Sequence, residues 1–207
     1  MKIIIDLDST VADLMTPWLA AINEVHAGTY GELTIQDCRS WNVASLHPIG
    51  KEVYSYLNMP GLFLRLKPLE GAIEALRKSY ENRDDHYVIS DAVSSEAAYE
   101  KLRWTETYLP WIPSRKTHII NTQRAYTSKV EVARLIQPQL ALEDAPHHIK
   151  DYREAIPTMD IACIGYEYNR HVANMCDLYI APDVHEYQFA RAWNMIDDHI
   201  NKLRMLP

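Results

Sequence analysis

The sequence has no apolar run approaching the roughly 20 residues a bilayer-spanning helix requires, and it has no internal repeat or low-complexity tract. Cysteine is scarce. Cys38, Cys163 and Cys176 form no CxxC pair, and an odd count without pattern suits a reducing compartment. A basic excess is also missing: the net charge of −7 argues against a surface that coats a nucleic-acid polymer, yet leaves a single nucleotide open as a ligand. Lys2 and three isoleucines start as a secretory leader would, but Asp6 and Asp8 interrupt the apolar core such a leader needs. The expectation is a cytoplasmic protein with no membrane partner. At 207 residues the chain fits one domain, or one domain with a substantial insertion, and its core needs no disulfide or structural metal.

What the chain does contain begins at Ile3-Ile4-Ile5, a run that reads as a strand buried on both faces, the usual state of a central strand in a parallel sheet. Asp6 and Asp8 follow it at i and i+2, on one side of an extended chain. From Val11 the spacing turns helical, through Leu14, Met15, Trp18, Leu19 and Ile22, and Gly31 closes that helix. Residues 31–67 are irregular and rich in aromatics, and are expected to form a small helical cap over the sheet edge together with the helix before them. Further on, apolar strands at 86–89, 117–120, 140–142, 160–165 and 177–181 alternate with helices at 69–80, 95–109, 128–136 and 184–203. Such alternation predicts an α/β protein, a three-layer α/β/α sandwich on a mainly parallel sheet. The expected catalytic core covers 1–15 and 68–207, and the cap 16–67.

The polar residues of interest fall at strand ends. Asp6 and Asp8 follow the first strand, Ser90 the second and Glu143-Asp144 the fourth, while Lys129 opens the helix before that fourth strand. Singly each has an ordinary explanation: acids cap helices, serine makes turns, a helical lysine is solvated. Together, in this order, they are what phosphoryl transfer to a carboxylate requires. A carboxylate about 4 Å from a phosphate dianion feels repulsion of about 8 kcal/mol at an effective dielectric near 20. Mg²⁺ on oxygen ligands and a lysine ammonium cancel it. One aspartate then attacks and the other moves protons. His147, His148, His171 and Asp13 form no metal set of known spacing, and the histidines read as surface or loop residues. Tyr168, Asn169 and Arg170, after the fifth strand, are within reach of the same edge.

The set Asp6-Leu7-Asp8-Ser9-Thr10, Ser90, Lys129 and Glu143-Asp144 resembles the four motifs of the haloacid dehalogenase superfamily of phosphohydrolases. Within it the chain is similar to the 5′(3′)-deoxyribonucleotidases, on Val11-Ala12-Asp13, Arg39-Ser40-Trp41-Asn42-Val43, Pro68-Leu69-Glu70-Gly71-Ala72 and Tyr99-Glu100-Lys101-Leu102-Arg103-Trp104. The narrower similarity lies mainly in residues 1–110. The resemblance implies a Rossmann-like core, a Mg²⁺ cofactor and a nucleotide phosphate monoester as substrate, with monomer and homodimer both open. It makes Asp6 the nucleophile, Asp8 the acid/base and Ser90 and Lys129 the phosphoryl-binding pair. Asp6, Asp8, Glu143 and Asp144 become the metal residues, and Thr10, Trp41, Asn42, Val43, Asp91 and Lys101 the substrate side. Departures are Ser9 where the family usually has glycine, Ser90-Asp91-Ala92 where it has Thr-Ser-Pro, and Asn42 where an aromatic is expected. Alternatives are the same chemistry on a sugar phosphate or modified nucleotide, and a non-catalytic ligand-binding relative. A phosphorylated receiver domain is disfavoured, because its acceptor lies on a middle strand of a shorter chain.

Overall fold

In a computed structural model the described residues are 1–121 and 128–205; residues 122–127 and 206–207 of the expected core lie outside them. The described strands are β1 (Lys2–Ile5), β2 (Asp85–Ala92), β3 (Thr117–Asn121), β4 (Leu140–Leu142), β5 (Asp160–Ile164) and β6 (Leu178–Ile180). They form one sheet in the order β3-β2-β1-β4-β5-β6, and every neighbouring pair is parallel. The helices are α1 (Met15–Tyr30), α2 (Ala72–Glu81), α3 (Ser95–Tyr108), α4 (Lys129–Ile136), α5 (Pro146–Ala155), α6 (Pro182–His185) and α7 (Phe189–Arg204).

The isoleucine run explains the layering. Side chains alternate across a strand, so Ile3 and Ile5 point to one face and Ile4 to the other. Ile3 and Ile5 join a core with Leu76 of α2, Trp104 of α3 and Trp193 of α7. Ile4 joins a second core with Val132 and Ile136 of α4 and Ile149 and Tyr152 of α5. Each isoleucine buried this fully contributes about 1.5–3 kcal/mol. The chain moves outward from β1 to β2 and β3, then returns to the other side of β1 at β4. Strand order therefore reverses between β1 and β4, where an open α/β sheet leaves a crevice at the carboxyl ends.

Several elements differ from expectation for local reasons. The first helix begins at Met15 rather than Val11, because residues 7–13 form a tight loop. The Leu7 carbonyl accepts the N–H groups of Val11 (2.9 Å) and Ala12 (2.7 Å), Ser9 adopts φ +56°, and Ala12 pairs with Pro68. Asp13 Oδ1 then accepts from Thr16 N at 3.1 Å, satisfying an N–H of the first helical turn. β2 runs on through Ser90 and Asp91, which therefore lie within the strand. α5, with Pro146 in its first turn, is an additional helix. The tail helix is broken by left-handed Glu186 and Tyr187 (φ +49° and +59°) into α6 and α7. Among the described residues 31–67 hold no strand, only 3₁₀ turns at Ile35–Asp37, Val43–Ser45, Gly50–Asn58 and Phe63–Arg65. They are tied to the rest through Trp18, whose indole N–H donates to Val53 O at 2.8 Å, and through Val43, Val53 and Phe63, which share the core of Ile3 and Ile5.

Candidate active site

The crevice between β1 and β4 collects charge. Asp6 extends β1, with its N–H on Leu142 O at 3.0 Å. Glu143 and Asp144 extend β4 beside it. Lys129 reaches them because Ser128 and Glu131 cap α4 reciprocally: Ser128 Oγ accepts from Glu131 N at 3.2 Å and Glu131 Oε2 accepts from Ser128 N at 2.8 Å, which starts the helix at Lys129. The Lys129 ammonium donates to Asp6 Oδ1 at 2.7 Å and Glu143 Oε2 at 3.0 Å, all three groups buried. Burial works against this charge, but Asp6 and Glu143 outweigh it and hold the lysine well above its usual value. Asp144 is pushed well above the usual aspartate value by burial and by Asp6 and Glu143. Its oxygens accept from Thr10 Oγ1 at 3.2 Å and from the Tyr168 hydroxyl, and Asn169 Nδ2 donates to its backbone carbonyl at 2.9 Å.

Asp8 lies across the mouth from this cluster. Lys101 of α3 donates to Asp8 Oδ2, to the Asp91 carbonyl and, at 3.3 Å, to Ser90 Oγ. Asp8 Oδ1 is buried without a partner among the described residues. Burial raises the Asp8 carboxyl above the ordinary value, Lys101 opposes that and Asp6 adds to it. Asp91 projects toward α5, where His148 Nε2 lies 2.7 Å from its Oδ2.

These groups surround a cavity of about 290 Å³. Asp6, Asp8, Ser90, Asp91, Lys101 and Lys129 line its polar end; Asp144 also lines it, while Glu143 stands behind Lys129. Trp41 and Val43 line the cavity as well, with Trp18, Tyr54 and Phe63. Thr10 sits behind Asp144, and Asn42 lies at the rim, where its Oδ1 accepts from Tyr54 OH at 2.9 Å. Trp41 packs 5.3 Å from both His147 and Tyr168. His148, expected at the surface, lines the cavity, and Tyr168 and Asn169 do reach the sheet edge; Arg170 instead pairs with Glu167 at 3.0 Å. Glu100 was not anticipated: buried, it accepts from Gly61 N (2.6 Å) and Phe63 N (3.0 Å), pinning Phe63 4.8 Å from the Lys101 ammonium. Its signal was its place beside Lys101 on a helix facing the irregular segment.

Asp6, Glu143 and Asp144 present oxygens within 4.8 Å of one another. Three hard carboxylate donors, with a lysine neutralising only part of their charge, fit Mg²⁺ better than a thiophilic ion.

The same fold recurs in solved structures. A HAD family hydrolase from Deinococcus radiodurans R1, with bound phosphate and sodium, has a TM-score of 0.54 at 13% identity and covers 91% of this chain and 96% of its own. A HAD hydrolase, family IA, variant 3, from Entamoeba histolytica gives 0.52 at 13% identity, covering 93% and 99%. Fold and site, taken with the family model and the curated relatives, define a phosphoric monoester hydrolase of the HAD type. The chain belongs to the family described as 5′ nucleotidase, deoxy (pyrimidine), cytosolic type C protein, whose model matches residues 1–192. It is similar to the 5′(3′)-deoxyribonucleotidases of Bacillus subtilis (strain 168) and Bacillus phage SPbeta, each 25% identical over 153 residues, 72% of this chain and 79% of the relative.

Proposed function

We propose that the protein is a Mg²⁺-dependent 5′-nucleotidase that hydrolyses nucleoside monophosphates, deoxy ones first, through an aspartyl-phosphate on Asp6. The observation that carries this is the convergence of Asp6, Asp8, Ser90, Lys101, Lys129 and Asp144 on one cavity that is also lined by aromatic and apolar side chains. Family membership and the names of the two deoxyribonucleotidase relatives support the substrate. The family description also supports a cytoplasmic location.

In this mechanism an Asp6 oxygen attacks phosphorus, and the ester P–O bond breaks with its electrons on the leaving oxygen, which takes a proton from Asp8. Asp8 then accepts a proton from water as that water attacks the aspartyl-phosphate. The P–O bond to Asp6 breaks, freeing inorganic phosphate and restoring the carboxylate. Lys129, Lys101 and Ser90 hold the phosphoryl oxygens throughout. Asp6, the Asp8 carbonyl, Glu143 and Asp144 would hold Mg²⁺, which when bound supplies the positive charge that lets a carboxylate approach a phosphate dianion. Residues 16–67 serve as the cap, with Trp41 and Val43 against the base, Asn42 at the rim and Thr10 steadying Asp144.

Phosphate release from a panel of nucleotides, with Mg²⁺ and with EDTA, tests this. Mg²⁺-dependent turnover of nucleoside monophosphates is expected; no turnover, or indifference to EDTA, would overturn it. Asp6→Asn keeps the shape and should lower kcat at least about 10³-fold, since a carboxamide cannot form the covalent intermediate.

A further inference from the structure

We infer that Asp91, held by His148, forms a subsite for a sugar hydroxyl next to the reacting phosphate and turns away substrates carrying a second phosphate there. The inference rests on the nucleotidase reading and narrows its substrate to a monophosphate with a free hydroxyl close to the ester.

Position comes first. Asp91 follows Ser90 on β2, and consecutive Cα atoms lie 3.8 Å apart, so its carboxylate borders whatever is joined to the phosphoryl group that Ser90 receives. The side chains alternate across the strand. Ser90 turns to Lys101 on α3, Asp91 turns to His148 on α5, and both line the cavity. Asp91 therefore stands on the wall opposite Lys101.

Bonding comes second. A carboxylate only accepts, so His148 Nε2 is the donor in the 2.7 Å contact with Asp91 Oδ2. That fixes the carboxylate, and no hydrogen bond to Asp91 Oδ1 is found among the described residues. Burial works against ionisation of Asp91, but the bond from His148 and the charge of Lys129 outweigh it and hold the carboxyl below the usual aspartate value. The group is thus an oriented anion with one acceptor oxygen to offer, and a hydroxyl is the sugar's matching donor.

Charge comes third. The cationic lysines lining the cavity among the described residues are Lys101 and Lys129. Each is committed, Lys129 to Asp6 and Glu143, Lys101 to Asp8, Ser90 and the Asp91 carbonyl. A second phosphate beside the first would meet the Asp91 carboxylate, and among the described residues both lysines of the cavity are already engaged. The remaining walls, with Leu14, Trp18, Val43, Leu57 and Phe63, offer apolar contact to a base.

The test compares kcat/KM for the four 2′-deoxynucleoside 5′-monophosphates, their 2′,3′-dideoxy analogues and their 3′,5′-bisphosphates, using the Mg²⁺-supplied full-length protein, Asp91→Ala and Asp91→Asn. The unaltered protein should prefer the deoxy over the dideoxy substrate by about 10–100-fold, the scale for leaving a charged acceptor unpaired, and should reject the bisphosphate. Asp91→Ala should bring the deoxy and dideoxy values to within about threefold. Asp91→Asn, which keeps an acceptor oxygen without the charge, should retain hydroxyl preference and accept the bisphosphate. Equal use of deoxy and dideoxy substrates by the unaltered protein, or an undiminished preference in Asp91→Ala, overturns the inference while leaving the nucleotidase reading intact. Absence of turnover on every nucleotide removes both.

Discussion

The ammonium of Lys129 rests 2.7 Å from Oδ1 of Asp6, both side chains buried, across 123 residues of chain. This contact joins the two halves of the sheet at the point where the acids crowd together. Glu143 shares the same ammonium at 3.0 Å.

Lys129→Met should therefore cost stability as well as activity. Removing one partner of a buried ion pair costs about 3–5 kcal/mol, and a chain of this size loses about 2–4 °C of Tm per kcal/mol. A fall of roughly 10 °C is expected, partly recovered on adding Mg²⁺, with phosphatase activity at least about 10²-fold lower. Differential scanning calorimetry with and without Mg²⁺ checks this; an unchanged Tm would refute it.

Tyr168→Phe removes the hydroxyl that donates to Asp144 and leaves the ring in place. Partners behind a metal ligand typically contribute 10–100-fold in affinity. The Mg²⁺ concentration giving half-maximal activity should rise by about that factor, while kcat at saturating Mg²⁺ stays within a few-fold. A loss of kcat with no change in Mg²⁺ dependence would speak against it.

His86 gives a pH signature remote from the site. Trp111 Nε1–H donates to its Nδ1 at 3.2 Å, so Nδ1 carries no proton, and Nε2 lies 2.9 Å from Ser79 Oγ. Burial lowers this histidine to about 4. Its folded value lies below the unfolded value near 6.5, so the unfolded state binds the proton first as pH falls. The cost begins near pH 6.5, grows toward pH 4 and is constant below that. It amounts to about 3 kcal/mol. Urea unfolding should show the stability of His86→Gln gaining on that of the unaltered protein by this amount between pH 7 and pH 4. A constant difference would contradict it.

Gly165→Ala is expected to destabilise by about 1–3 kcal/mol, the range for overpacking. A Cβ there would stand 2.6 Å from Ile180 O and 2.7 Å from Tyr179 Cζ, closer than real contacts allow. Tyr179 OH also donates to Asn169 Oδ1 (3.1 Å), and Asn169 holds the Asp144 carbonyl. Tm should drop by about 2–10 °C and Mg²⁺ dependence should shift with it; thermal melts and an activity titration measure both.

Much of this molecule is legible in its residues, and the gaps have physical causes. Ile3-Ile4-Ile5 followed by Asp6 and Asp8 announces a central strand delivering acids to a sheet edge, because full burial demands an unbroken apolar run. Val11 misleads because it is buried by a loop clasped on the Leu7 carbonyl, and buried loop residues mimic helical spacing. The Asp91–His148 bond spans 57 residues and two elements, so no local pattern could signal it. The break at Glu186 and Tyr187 is made by residues with no preference for left-handed backbone, so tertiary packing decides it. The 3₁₀ turns of 31–67 carry no single period for a pattern to reveal.

β1 has β2 on one side and β4 on the other, and its pairing with β4 joins Ile3 to Leu140. During synthesis, Ile3 to Ile5 must wait for more than 130 residues before both edges are covered. Until then this apolar isoleucine strand stands with an open edge, an invitation to pair with another chain. Such long-range pairing is slow to form. The arrangement that creates the acid crevice thus depends on a long-range closing of β4 on β1, and before that closing the bare edge of β1 is open to pairing with another chain.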